Sequence, residues 1–243
     1  HAIQQMGLKI GLISNVCSQG QVSLNLEQYG LRHYFNPVVL SSQYGRRKPD
    51  PAIFHHAARL AGVPTSHCLY VGDRIARDIL GARKAGFGLT VQIQHNYDHG
   101  EQDVGAVPDA IIQNMEELLD ILRSANSRQA APVPPSPIQA LLFDAGDVLY
   151  YRPRRGQLFS EFLVQSGLDP ANASKAARDA LAHQAYQGVI SQDEYREALV
   201  RLHGVSEPGQ IERGKQAIAS EDDDVQFFPG VAETLTALKE MGY

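Results

Sequence analysis

Four short segments of the 243-residue chain end in side chains that can do chemistry together. Residues 141–149, LLFDAGDVL, run from apolar side chains into Asp144 and a glycine-containing turn. A carboxylate at the C-terminal end of a central parallel strand stands where open α/β sheets bind their ligands. Residues 10–15, IGLISN, end in Ser14 and Asn15, whose hydroxyl, amide and following helix N-terminus suit an anion. Residues 46–51, RRKPDP, place Lys48 ahead of a helix expected to start near Pro49. Residues 69–78, LYVGDRIARD, end in Gly72 and Asp73, with Asp78 expected on the first turn of the next helix. The set holds carboxylates, a hydroxyl and one ammonium. Clustered carboxylates repel one another without a cation, so the residues by themselves point to a metal beside an anion site.

Strands and helices must hold these groups, and the first half of the chain alternates between them. Apolar runs at 9–13, 37–40, 68–71 and 88–92 read as strands, and 19–29, 51–61, 75–85 and 115–122 read as amphipathic helices. Such alternation with short connections predicts a parallel sheet covered on both faces. Residues 124–137, SANSRQAAPVPPSP, carry four prolines and read as a semi-rigid linker. A buried strand follows at 138–143. Residues 156–220 show helical spacing, as in Leu158, Phe162 and Leu163, with no strand pattern, which predicts about four helices. An acidic turn is expected at 221–224 and a last helix at 230–242. Residues 236–243, TALKEMGY, align with residues 1–8, HAIQQMGL, as if both copied one helix-to-strand junction.

Composition narrows the function classes. At 43% hydrophobic and 20% charged residues, the chain can bury a core as one large domain or two small ones. Its 22 basic and 27 acidic residues form no basic field that would hold nucleic acid. No apolar run reaches the roughly 18–20 residues needed to span a bilayer, so no membrane partner is expected. Cys17 and Cys68 have no metal-like spacing, and a reducing, cytoplasmic setting fits them. The start at His1, without a charged and then apolar leader, reads as a fragment boundary with no signal peptide.

Asp144 after one strand, Ser14 after another, Lys48, and the acidic pair Asp73 and Asp78 resemble the four motifs of the haloacid dehalogenase-like hydrolase superfamily. The resemblance implies an α/β fold with a Rossmann-like parallel sheet and a helical cap. The order is rotated, because in the family the Asp strand comes first, whereas here Ser14, Lys48 and Asp73 precede Asp144. The chain therefore resembles a circular permutant, or the back half of one copy joined to the front half of the next. The division expected is 1–123 for the back half of the core, 124–137 for the linker, 138–155 with 221–243 for the front part, and 156–220 for the cap. Each strand keeps its following helix, so right-handed crossovers survive. A closed monomer and a swapped homodimer are both feasible.

The resemblance implies a phosphomonoester hydrolase acting on small phosphorylated metabolites, with Asp144 as the nucleophile that forms an aspartyl-phosphate. Mg²⁺ would be held by Asp144, the carbonyl of Gly146, Asp73 and Asp78. Ser14 and Asn15 would hold phosphate oxygens, and Lys48 would neutralise charge between nucleophile and substrate. One position departs from the family: two residues after the nucleophile stands Gly146, and the expected acid comes one later, at Asp147. The loss of such an acid typically lowers rate by about 10² to 10⁴. A metal-independent dehalogenase and a non-catalytic fragment or pseudoenzyme are the rival readings. The run 150–155, YYRPRR, lines the mouth of the site or forms a solvated loop. His95 and His99 have a metal-like spacing without a third ligand. Cys17 borders the pocket or is a structural thiol, and Arg74 and Arg77 read as helix-surface charges paired with the motif acids.

Overall fold

The computed structural model describes residues 9–94, 105–127 and 138–242. In chain order the elements of the first half are β1 (Lys9–Ser14), α1 (Gln21–Gln28), β2 (Val38–Leu40), the short α2 (Ser41–Tyr44), α3 (Pro51–Ala61) and β3 (Cys68–Gly72). There follow α4 (Leu80–Lys84), β4 (Leu89–Ile93), β5 (Ala110–Ile112) and α5 (Glu117–Ser127). The second half holds β6 (Ala140–Phe143), β7 (Tyr150–Tyr151), α6 (Gln157–Gln165), α7 (Lys175–Tyr186), α8 (Gln192–Leu202), α9 (Pro208–Asp223), β8 (Gln226–Phe227) and α10 (Val231–Glu240).

Six strands form one parallel sheet in the order β2-β1-β6-β3-β4-β5. β6, late in the chain, lies between β1 and β3, with Leu12 opposite Phe143 on one side and Val71 opposite Phe143 on the other. Alternate residues feed two cores. Leu141 and Phe143 face the layer of α1, α5 and α10, and Ala140 and Leu142 face α3 and α4. A strand buried on both faces reads as a continuous apolar run, which is why residues 141–143 are LLF.

The four helices α6–α9 lie between β7 and β8, which pair antiparallel with Tyr150 opposite Phe227. They bury their own cluster of Phe162, Leu163, Val200, Ile211 and neighbours. Ser191 and Glu194 form a reciprocal cap at the start of α8. α7 ends against α2 where a Cβ on Gly188 would fall 2.1 Å from the Ser42 carbonyl oxygen, so only glycine permits this approach.

α3 begins at Pro51, as the apolar spacing of 51–61 predicts, with Asp50 accepting a hydrogen bond from the Ala52 N–H (2.9 Å), so Pro49 lies two residues ahead of it. Several expectations need correction. α5 runs to Ser127, into the segment read as linker from Ser124, because nothing before the prolines interrupts it. Residues 128–137, His95, His99, residues 1–8 and Tyr243 lie outside the described residues. Glu221, Asp222 and Asp223 are the last turn of α9, not a free acidic turn. The strands β5, β7 and β8 have two or three residues each and were not expected.

Candidate active site

Ser14, Asp73 and Asp144 stand at or just beyond the C-terminal ends of β1, β3 and β6, adjacent strands of the sheet. All three are buried, as are Lys48 and Asp78. The Asn15 side chain fixes the Lys48 segment, donating to the Lys48 carbonyl (3.0 Å) and accepting from the Lys48 N–H (2.9 Å). Asn15 therefore positions Lys48 while it also stands on the wall of the cavity described below.

The Lys48 ammonium has three N–H donors, and all find acceptors. Nζ lies 2.7 Å from Asp78 Oδ1, 2.8 Å from Asp144 Oδ2 and 2.8 Å from the Tyr70 hydroxyl. Tyr70, fully buried in the middle of β3, is a member of the site that sequence reasoning missed. In an apolar strand its ring reads as core, and only its hydroxyl betrays another use. Burial, then the charges of Asp78 and Asp144, push its phenol well above the ordinary range, so it stays protonated.

Between β3 and α4 the chain makes one widened, π-type turn over Ile75–Ile79. The N–H groups of Asp78 and Ile79 both reach the Arg74 carbonyl (2.8 and 3.3 Å). Consecutive residues of an α-helix point about 100° apart; this turn brings Arg77 and Asp78 to the same cluster. Gly72 makes room, since a Cβ there would fall 2.4 Å from the Asp78 Cβ. Arg77 is not a surface charge: its Nη2 lies 2.6 Å from Asp144 Oδ2, 3.1 Å from Asp73 Oδ1 and 3.3 Å from Asp78 Oδ2. Arg74 stays at the edge, 3.7 Å from Asp73.

The cluster sets three carboxyl groups against Lys48 and Arg77, with Arg74 beside Asp73. Burial, and next the charge of Asp78, push the Asp73 carboxyl up to about 8, so it keeps a proton at neutral pH. Burial also opposes ionisation of Asp78, but Arg77 and Lys48 outweigh it and hold that carboxyl below the usual range. One oxygen from each of Asp73, Asp78 and Asp144 lies within 4.8 Å of the others. Mg²⁺ takes oxygen ligands at about 2.1 Å, so neighbouring ligands lie about 3.0 Å and opposite ones about 4.2 Å apart. Three carboxylate oxygens that can close to those spacings are a donor set of the kind a hard divalent cation takes.

The cluster opens on a cavity of about 340 Å³ between the sheet and the four-helix unit. Ser14, Gly146, Asp147, Arg155, Tyr186 and Tyr195 are on its wall. Asp147 adopts the left-handed conformation (φ 59°), which bends the turn after Asp144 so that the residue still borders the cavity. Its carboxylate meets Arg155 at 3.3 Å. Within the run 150–155, Tyr150 and Tyr151 form β7, Arg152 pairs with Asp222 (2.7 Å) and Arg154 with Asp224 (2.7 Å). Cys17 also lines the cavity, but burial, then Asp222, push its thiol up to about 12. The acidic run is a seam. Glu221 accepts from the N–H groups of Gly156 (2.7 Å) and Phe159 (2.8 Å), capping α6 from outside, and Asp223 accepts from Gln21 of α1 (3.0 Å).

Residues 1–86 match the family model described as a haloacid dehalogenase-like hydrolase. A glyceraldehyde 3-phosphate phosphatase of Methanopyrus kandleri is 38% identical over 123 residues, 50% of this chain and 52% of that protein. A probable phosphoglycolate phosphatase of Pseudomonas savastanoi is 30% identical over 117 residues, 48% of this chain and 71% of that protein. The chain belongs to the haloacid dehalogenase-like hydrolases. The chain spans about half the length of most of the curated relatives it matches. A solved phosphatase of the family from Thermococcus onnurineus is 29% identical, covering 46% of this chain and 50% of that chain with a TM-score of 0.39. Here the acidic pair, Lys48 and Asp144 meet within a single chain. No helix among the described residues is long and apolar enough to cross a membrane.

Proposed function

We propose that the protein hydrolyses small phosphomonoesters by phosphoryl transfer to Asp144. The observation that carries this reading is Asp144, on the wall of a cavity that Ser14 also lines, with its Oδ2 held 2.8 Å from the buried ammonium of Lys48 beneath it. A carboxylate held beside a fixed cation can approach a phosphate dianion without the full repulsion between the two anions.

In this reading an Asp144 oxygen bonds to phosphorus as the ester P–O bond breaks, and the leaving alkoxide takes a proton from Asp147. Water then attacks phosphorus, giving a proton to Asp147; the acyl phosphate P–O bond breaks, and Asp144 is restored with inorganic phosphate as product. Ser14 holds a non-bridging oxygen, and Lys48 offsets the charge on the phosphoryl group. Asp144, Asp73, Asp78 and the Gly146 carbonyl would hold Mg²⁺, which when bound supplies further positive charge to the phosphoryl oxygens. The helices of 156–220 act as a cap that excludes water and selects the substrate. A cavity of about 340 Å³ suits a small phosphorylated metabolite, and the relatives named for glyceraldehyde 3-phosphate and phosphoglycolate are of that kind. The central place of β6 supports a rotated motif order, and we place the protein in the cytoplasm.

The test is hydrolysis of an activated aryl phosphate by the purified protein, with Mg²⁺ and with chelator, beside Asp144→Asn. Turnover that needs both metal and Asp144 is expected. A folded sample that turns over no faster than the variant would remove phosphoryl transfer from consideration for this substrate class.

A further inference from the structure

The guanidinium of Arg77 lies among oxygens of the same three carboxylates that make the cluster a candidate cation site. Its Nη2 is 2.6–3.3 Å from one oxygen each of Asp144, Asp73 and Asp78, and those three residues are the acidic group with metal-binding geometry. A nitrogen at hydrogen-bond distance from all three oxygens takes the space a metal ion would need. We propose that Arg77 is an internal counter-ion of the carboxylate cluster, mutually exclusive with a divalent cation, and that its withdrawal into the cavity sets the protein's affinity for metal.

Three features support this exchange. The charges permit it, since a divalent cation in place of one guanidinium brings one further positive charge to a site of three carboxyl groups, with Lys48 retained. Arg77 has somewhere to go, because its side chain is 26% exposed and borders the cavity, whereas Lys48 is sealed beneath the carboxylates with 0% exposure. The widened turn at Ile75–Ile79 is a local irregularity that directs Arg77 inward, and turns of this type concentrate at functional positions. Lys48 is therefore the permanent cation of the site and Arg77 the exchangeable one. When the competent state is a minority, apparent affinity falls by its population. A single net charge-assisted hydrogen bond already biases such an equilibrium roughly tenfold or more.

The inference rests on the reading of the cluster as a cation site, and the experiment separates the two. Mn²⁺ binding is titrated by electron paramagnetic resonance for the wild type, Arg77→Gln and Arg77→Lys, with Arg83→Gln, which loses a surface ion pair to Asp109, as the control. Arg77→Gln is expected to bind Mn²⁺ at least tenfold more tightly than the wild type, with Arg77→Lys between them and Arg83→Gln unchanged. Equal affinities for the wild type and Arg77→Gln would overturn the exchange and leave the metal site standing; no binding by either would overturn both. A second measurement needs no variant. Labelling of Arg77 by phenylglyoxal, read by peptide mass spectrometry on the wild type, is expected to rise severalfold when Mn²⁺ is bound. Unchanged labelling at saturating Mn²⁺ would show that the guanidinium does not move.

Discussion

Replacing Lys48 by methionine keeps most of the side-chain volume and deletes one buried charge. The ammonium sits 2.7 Å from Asp78 and 2.8 Å from Asp144, and both carboxylates are buried. Without it Asp78 and Asp144 lose one of the two cations that contact them and keep Arg77. Removing one partner of a buried ion pair is destabilising by about 3–5 kcal/mol, because the other partner cannot return to water. In a chain of this size each kcal/mol lowers Tm by about 2–4 °C, so Lys48→Met should melt about 6–20 °C below the parent. The melts are followed by circular dichroism in chelator, so that the protein's own cations are the only ones. The double variant Lys48→Met/Asp78→Asn restores the parent's net charge and should recover at least about 1 kcal/mol, since contacting charges are not additive. A single variant within about 1 kcal/mol of the parent would refute the reasoning, because the carboxylates would then be solvated and indifferent to Lys48.

Two further outcomes are expected. Asp147→Asn should lower turnover of a simple alkyl phosphate by about 10²–10⁴, with a much smaller loss on the activated aryl ester, whose leaving group needs no proton; equal losses on both would take proton transfer away from Asp147. Glu221→Ala removes two hydrogen bonds to the start of α6 and should be destabilising by about 2–3 kcal/mol in urea titration, with Glu221→Gln about half as severe. A change under about 0.5 kcal/mol would return the acidic run to a solvated surface role.

Much of the site was legible because its residues end apolar runs. Ser14, Asp73 and Asp144 each follow strand residues that are buried, and a polar group at that point has few structural uses. The four helices α6–α9 were legible from spacing alone. Arg77 was not, because its inward direction depends on one extra residue in a turn, which helical periodicity cannot reveal. Asn15 reads as an anion ligand in isolation, and only the proximity of Lys48, 33 residues on, shows that its amide is engaged. The strands β7 and β8 are two residues each and pair across the whole cap, so no local pattern marks them. The acidic run from Glu221 looks like a solvated turn until its partners Gly156, Arg152 and Arg154, more than sixty residues away, are known.

The place of β6 bears on how the chain reaches its native state. β1 with β2, and β3 with β4 and β5, share no hydrogen-bonded edge until β6 lies between them. In this topology the strands made before β6 have pairing partners only within two separate sheets, each with an inner edge left open. Such edges are templates for association with other chains. The last-made strand of the sheet is its keystone, and its pairings with β1 and β3 span the longest sequence separations in the sheet. Non-local closure of this kind is slow. Truncation before Ala140 should therefore give aggregation-prone half-sheets, not a smaller folded core.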